Sequence, residues 1–181
     1  MEKITIISGH PSIEKSLANK AILKSIRNMG TVNIVHLIQE YPDFQIDVEA
    51  EISRLREADI IVLQFPFHWY GVPAILKMWI DSITTPMVYG KQKGILKGKS
   101  FIISTTTGGP AESYSATGYN KYTMKEFLLP LLKLGDSLGM NVLEPIVMHS
   151  ASGDIDSVNY KAQKHVKFIM EQIQKDETVL E

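Results

Sequence analysis

Ala58-Asp59-Ile60-Ile61-Val62-Leu63-Gln64-Phe65-Pro66-Phe67-His68-Trp69-Tyr70-Gly71-Val72-Pro73-Ala74-Ile75-Leu76-Lys77-Met78-Trp79-Ile80-Asp81 holds a strand, a loop and a helix in one short stretch. Residues 60–65 are an apolar, partly β-branched run, short enough to be a strand buried on both faces. Pro66 ends it, because proline has no N–H to give to a sheet ladder. Pro73 suits the first position of a helix. Leu76, Trp79, Ile80 and Ile83 then recur at i, i+3, i+4 and i+7 on one helical face. Between strand and helix lies an aromatic loop, Pro66-Phe67-His68-Trp69-Tyr70, at the carboxyl end of a buried strand. Ligands of open α/β sheets bind at that end. So much flat apolar surface suits a flat ligand.

The bulk numbers fit one globular domain: 181 residues are enough for a sizeable core, with 44% hydrophobic and 22% charged residues. A formal net charge of −1 gives no electrostatic case for a nucleic-acid or acidic-membrane partner. The absence of cysteine excludes disulfides, thiol catalysis and cysteine-ligated metals, and fits a reducing compartment. No apolar run approaches the ~20 residues of a membrane span. Met1-Glu2-Lys3 runs straight into strand-like Ile4-Thr5-Ile6-Ile7 without a secretory leader pattern. A cytoplasmic location is expected.

Upstream of the quoted stretch, residues 3–8 form a first strand and Gly9-His10-Pro11-Ser12 a loop. A helix over residues 16–29 buries Ala18, Ile22, Ile26 and Met29 and stops at Gly30. Residues 31–37 make the second strand. Tyr41-Pro42-Asp43-Phe44 is a turn-rich connection, and a short charged helix follows over residues 47–57. Downstream, residues 85–99 hold Pro86, three glycines and four lysines, and read as a surface excursion with the character of a lid. Residues 100–105 form the fourth strand, and Thr106-Thr107-Gly108-Gly109-Pro110 opens a long loop to Tyr122. Thr123-Met124-Lys125-Glu126 matches a capping box. The helix behind it carries Phe127, Leu128, Leu131, Leu132 and Leu138, and Pro130 predicts a kink or a later start. A fifth strand takes residues 140–148. The last helix, residues 154–174, buries Val158, Ala162, Val166, Ile169 and Ile173.

Strand and helix thus alternate five times, without internal repeat, low-complexity tract or linker, so residues 1–181 are expected to form a single domain. Parallel strands joined by helices need right-handed crossovers and cover on both sheet faces. Five strands favour the flavodoxin-like order 2-1-3-4-5, a doubly wound parallel α/β sheet, over a six-stranded dinucleotide fold. In that order the loops after strands one, three and four open beside one another. Those are the three unusual loops: residues 9–16, 66–70 and 106–119.

The first loop feeds a helix N-terminus, where free N–H groups and the dipole favour an anion. Ser16 and Asn19 are polar at that start, and His10 adds a hydrogen bond or a positive charge. Ser16 also reads as a plain N-cap, and His10-Pro11 as an ordinary turn. The aromatics of the second loop either face a ligand or pack inward as core, and His68 reads as a general base or as a spectator. Thr106, Thr107, Gly108 and Gly109 offer hydroxyls and close backbone approach, or else a tight turn. Together the loops describe a phosphate socket, an aromatic wall and a polar edge. A flavin mononucleotide needs all three, and protein groups around its ring tune its chemistry.

Competing motifs are missing. No G-x-G-x-x-G follows a strand, which disfavours a Rossmann dinucleotide site. The glycine–lysine tract of residues 90–99 lacks P-loop spacing, and Ser8-Gly9-His10 is not the acidic cluster of a phospho-receiver. No paired-histidine spacing suggests a metal.

Gly9-His10-Pro11 with Ser16-Leu17-Ala18-Asn19, the block from Pro66 to Asp81, and Thr106-Thr107-Gly108-Gly109 resemble the NAD(P)H quinone oxidoreductase family of flavodoxin-like proteins. The likeness is nearest to its bacterial branch: general stress proteins, modulators of drug activity, and ancillary subunits of glutathione-gated potassium-efflux systems. Tyr41-Pro42-Asp43-Phe44 and residues 120–145 add to it, and it spans nearly the whole chain. The resemblance implies a bound flavin, FMN or FAD, with the short carboxyl tail tilting the choice to FMN, and NAD(P)H as co-substrate. It implies that His10, Ser16, Leu17 and Asn19 hold the phosphate and ribityl region. Pro66, Phe67, His68, Trp69 and Tyr70 would lie along the ring edge, and Thr106, Thr107, Gly108 and Gly109 at its pyrimidine end. The implied reaction is two-electron and ping-pong, with hydride passing from NAD(P)H through the flavin to a quinone or similar acceptor.

Tyr114 matches the family's tyrosine that donates to charge developing on the flavin or quinone oxygen. Mammalian members carry a histidine six residues further on. This chain has Asn120, which transfers no proton, leaving water or His68 for that role. The resemblance also implies a homodimer, with Ile75 and Met78, off the main apolar face of their helix, as contributors. The alternative is a regulatory flavoprotein docked on a potassium-efflux transporter at the inner face of the membrane. One-electron carriage like that of flavodoxin is disfavoured, since the chain has neither its Thr/Ser-rich phosphate loop nor its acidic surface.

Overall fold

A computed structural model describes residues 3–27 and 32–180, with side chains to residue 176. Met29, Gly30 and Thr31, expected to end the first helix and start the second strand, lie outside those residues. Strands β1 (Ile4–Ser8), β2 (Val32–His36), β3 (Ile60–Pro66), β4 (Ser100–Thr106) and β5 (Asn141–Val142) form a parallel sheet in the order β2-β1-β3-β4-β5. A sixth, β6 (Ile146–Met148), also pairs with β4. Every residue of β1, β3 and β4 is buried, as continuous apolar runs require when helices cover both faces.

Side chains alternate across the sheet and sort into two cores. Ile4, Ile6, Ile60, Val62 and Ile102 pack with α1 (Leu17–Arg27) and α6 (Ile155–Leu180). Ile7, Ile61, Leu63, Phe65, Phe101 and Ile103 pack with α3 (Val48–Glu57), α4 (Ala74–Tyr89) and α5 (Met124–Ser137). Leu76, Trp79, Ile80 and Ile83 are all buried, as their helical spacing predicts. A short helix, α2 (Leu37–Glu40), follows β2 directly, and Asp47 caps α3 by accepting from the Ala50 N–H at 3.0 Å.

Several boundaries differ from expectation. Pro66 is the last residue of β3, paired with Thr106, and the ladder closes one residue later, where Phe67 N–H donates to Thr106 O at 2.8 Å. Pro73 is the N-cap of α4, one residue before the expected first helical position. Residues 140–148 do not form one strand: Asn141–Val142 pairs with Ser100 and Phe101, and Ile146–Met148 with Ser104 to Thr106. Pro145, unable to donate to β4, falls in the break between them. Residues 85–99 are no lid: α4 runs through Pro86 to Tyr89, and Leu96 is buried in the core. Helix α5 likewise continues through the exposed Pro130 from its Thr123–Glu126 capping box. No described helix is long and apolar enough to cross a membrane.

Candidate functional site

Sheet register places Ser8 beside Gln64 and Pro66 beside Thr106, so β1, β3 and β4 end together. The N-terminus of α1 lies over these ends, and buried Asn19 is the hub. Its Nδ2 donates to Thr106 Oγ1 at 3.2 Å and to Ser16 Oγ at 3.0 Å, while its Oδ1 accepts from Gln64 Nε2. Ser16 Oγ also accepts the Asn19 N–H at 3.2 Å, so Ser16 does cap α1. Ser8 Oγ and Gln64 Oε1 are buried without a partner among the described residues. Native interiors rarely tolerate such atoms unless something outside the chain satisfies them.

The first loop passes close to α4. Gly9 N–H donates to Gln64 O at 2.8 Å, and a Cβ on Gly9 would meet Leu76 Cβ at 2.7 Å. Glycine alone fits there. His10 is half-buried, and its Nδ1 accepts the Ser12 N–H at 2.9 Å. Burial first, and then neighbouring His68, hold its pKa below the ordinary histidine value. The His10 and His68 rings stand 6.4 Å apart edge to face, which joins the first loop to the second. Leu17 points outward and is exposed.

The second loop is a tight hairpin. His68 N–H donates to Gly71 O at 3.0 Å, and Gly71 N–H returns a bond to His68 O at 2.9 Å. Trp69 and Tyr70 fill the tip with φ of 44° and 66°. Two-residue hairpins favour this left-handed pair, normally supplied by Asn-Gly. Bulky aromatics there are strained, and strain of this kind marks functional sites. The aromatics do not pack inward as core: Trp69 is 94% exposed and Tyr70 half-exposed, while Phe67 alone reaches the core.

Helix α5 supplies the ring that gathers the others. Phe127 stacks on Tyr70 and tilts against Phe67, both at 5.4 Å, with Tyr122 at 5.7 Å and Tyr114 at 6.3 Å. Tyr70 Oη donates to Asn120 Oδ1 at 3.4 Å, linking the hairpin to the long third loop.

In that loop Thr107 is buried. Its N–H donates to Met148 O at 3.0 Å, and its hydroxyl donates to Gly109 O at 2.9 Å. Where a Cβ would stand on Gly108 there is no atom within 4 Å, while one on Gly109 would lie 3.6 Å from Tyr114 Oη. A further loop, entered directly after β6, brings His149 against this edge. His149 Nδ1 is 2.9 Å from Thr107 Oγ1, and its ring is 5.3 Å from that of Tyr114. Burial lowers its pKa, opposed by Glu112.

The structure therefore assembles His10, Ser16, Asn19, Pro66, Phe67, His68, Tyr70, Thr106, Thr107, Gly109 and Tyr114 through direct contacts or chain continuity. Gln64, Phe127 and His149 join them without having been expected. Gln64 was hidden inside an apolar run; His149 had a signal, standing right after a strand at the ligand end. Ile75 is fully buried and has no face to offer a second copy, whereas Met78 is exposed.

This strand order, with helices on both faces and loops meeting beyond β1, β3 and β4, defines a flavodoxin-like protein. The chain belongs to the family described as having a flavodoxin-like fold, whose model it matches over residues 2–173. It is 33% identical over 169 residues to the uncharacterized NAD(P)H oxidoreductase YdeQ of Bacillus subtilis, covering 92% of this chain and 86% of that one. It is 35% identical over 150 residues to KefG of Pectobacterium atrosepticum, a glutathione-regulated potassium-efflux system ancillary protein, covering 82% of each. The crystal structure of general stress protein 14 from Treponema denticola in complex with FMN matches with a TM-score of 0.87 at 27% identity, over 94% of this chain and 99% of that one.

Proposed function

We propose that this chain is an FMN-dependent NAD(P)H oxidoreductase of the cytoplasm, passing two electrons in ping-pong fashion to a quinone or similar small acceptor. The observation that carries this reading is a buried polar floor with two unpartnered atoms, Ser8 Oγ and Gln64 Oε1, beside a strained aromatic hairpin. The FMN complex of the Treponema relative and the oxidoreductase name of the Bacillus relative support it.

The residues fit FMN. His10, Ser16, Leu17, Asn19 and the start of α1 would hold its phosphate and ribityl stem, where the unpartnered floor atoms await polar partners. Pro66, Phe67, His68, Trp69 and Tyr70 would line the ring edge, and Thr106 to Gly109, open above Gly108, its pyrimidine end. Bound there, FMN supplies the hydride-accepting and hydride-donating chemistry. The Phe67, Tyr70 and Phe127 rings would form an apolar wall on one side of the site. The Tyr114 hydroxyl is the donor for negative charge developing there, and a preorganised donor in a dry site is worth far more than one in water.

The working unit in this reading is a homodimer, whose second copy covers the exposed rings of Trp69, Tyr119 and Tyr122. The similarity to KefG favours a second role as ancillary protein of a potassium-efflux transporter, tested by co-purification from solubilised membranes. For the main reading, apo protein is titrated with FMN and assayed with NADH or NADPH and menadione. Saturable quenching of flavin fluorescence and menadione-dependent loss of 340 nm absorbance are expected. A protein that takes up no FMN refutes the reading.

A further inference from the structure

We propose that His149 is the group that takes up the proton of the reaction and delivers it to the reduced acceptor, acting beside Tyr114. This deepens the FMN reading of the site and rests on it.

The Thr107 hydroxyl hydrogen is committed to Gly109 O at 2.9 Å, so its oxygen is an acceptor toward His149 Nδ1, also 2.9 Å away. Assigned from this network, Nδ1 carries the imidazole hydrogen and Nε2 is bare. A threonine fixed by backbone thus fixes the tautomer, and leaves the other nitrogen to exchange a proton. The ring lies 5.3 Å from Tyr114, tilted by 38°.

Among the described residues no other acid–base group at this edge is as well placed. Asn120 accepts from Tyr70 and has no exchangeable acid–base proton. His10 has its Nδ1 occupied by Ser12 N–H, and His68 lies against His10. The titratable and charged groups around His149 are Glu112 and Tyr114 on the loop side, and Lys161, Lys164 and His165 on α6 in the groove it shares with them. Lys161 donates to Ser150 O at 2.8 Å, Lys164 lies over the Tyr160 ring, and His165 Nε2 is 2.8 Å from Ser104 Oγ. Glu112 is the one anion among them and favours the protonated ring, against burial, which favours the neutral one. His149 rests neutral and gains a proton when negative charge arrives beside it.

The balance closes with one proton. NAD(P)H loses a hydride, breaking one C–H bond and leaving the nicotinamide as a cation. The quinone gains that hydride and one proton, and both of its carbonyl oxygens become hydroxyls. The proton comes from solvent to His149 Nε2 as the site is reduced, and leaves for the acceptor oxygen as the second O–H bond forms.

The test uses FMN-loaded protein. The kcat/KM for menadione is followed against pH in wild type, His149→Gln, Thr107→Val and Thr107→Ser. Protonated His149 is the productive form in the second half-reaction, so the wild-type value falls as pH rises through the histidine midpoint. His149→Gln loses that limb and about a hundredfold in rate. Thr107→Val displaces the limb, and Thr107→Ser keeps it. Independently, the His149 ring is titrated by NMR in the oxidised and reduced loaded protein, where the midpoint moves to higher pH on reduction. A limb retained in His149→Gln, or a midpoint indifferent to reduction, overturns the proposal while leaving the FMN reading intact. Wild type that loads no FMN overturns both.

Discussion

Glu51 shows how one side chain can lock elements that a charge pattern assigns to the surface. It lies in α3, a helix rich in charged residues, yet its carboxylate is fully buried. It accepts from Tyr41 Oη at 2.8 Å and Trp79 Nε1 at 2.7 Å, with Arg54 Nη1 at 3.3 Å. Burial, and then the Glu51 bond, push the Tyr41 phenol well above its ordinary range and keep it a donor. Glu51→Ala strands two buried donors and is expected to lower stability by about 3–5 kcal/mol in urea unfolding. Glu51→Gln, which keeps an acceptor, should lose less than half of that; equal losses would mean the bonds are not what matters. His165 works in the opposite direction. Its Nε2 is 2.8 Å from Ser104 Oγ, and burial holds its pKa down to about 4 from 6.5. The folded chain keeps the ring neutral, while the unfolded chain binds a proton below pH 6.5. Its stabilisation is therefore complete above pH 6.5 and lost as pH falls through about 4, about 3 kcal/mol over that window. His165→Gln should flatten the fall of the urea midpoint between pH 7 and pH 4.5. An unchanged slope would rule out His165 as the source.

The aromatic hairpin is the element whose local chemistry conflicts with its backbone. Trp69 and Tyr70 hold φ of 44° and 66°, each against a steric penalty of about 1–3 kcal/mol. Replacing the pair together, Trp69→Asn and Tyr70→Gly, gives the turn residues that geometry favours. The double variant is expected to be more stable by about 1–2 kcal/mol and to lose more than tenfold in menadione reduction. Tyr70→Gly also removes the Phe127 stack and the Asn120 bond, so the exposed Trp69→Asn alone is the deciding control, and a drop in its stability would refute strain at the tip. Other elements differ in how far residue order alone disclosed them. Strands β1, β3 and β4 were plain, because a strand covered on both faces is simply a short apolar run. The run of residues 140–148 looked equally apolar, but Pro145 cuts its ladder in two. Pro86 and Pro130 stand inside helices that continue through them, so Pro86 ends no helix and Pro130 does not delay the start of α5. The left-handed hairpin tip was invisible, carrying none of the Gly or Asn that mark such turns. The Asn19–Gln64 bond was invisible too, joining residues far apart in sequence through an amide inside an apolar strand. The three loops themselves were legible, because topology alone brings the ends of strands one, three and four together.

In the whole molecule, two cores on opposite sheet faces hold these loops from behind, and contacts among the described residues join the loops to one another across the top. Asn19 to Thr106, Phe67 N–H to Thr106 O, the Phe67–Tyr114 ring contact, Tyr70 to Asn120, and the His10–His68 contact are among the crossings. A ligand spanning the loops adds connections to these, and its binding appears as stability of the folded state. At a hundred times its Kd, FMN is expected to add about 2.7 kcal/mol. For a domain of this size that corresponds to a rise of about 5–10 °C in Tm, followed by circular dichroism. Riboflavin, which shares the ring and ribityl chain but lacks the phosphate, separates the contribution of the socket at Ser16 and Asn19. It should raise Tm by clearly less at the same concentration, and Ser16→Ala should narrow the difference between the two ligands. If riboflavin and FMN stabilise the protein equally, the α1 N-terminus is not a phosphate socket, and the ring-binding rim must supply the affinity by itself.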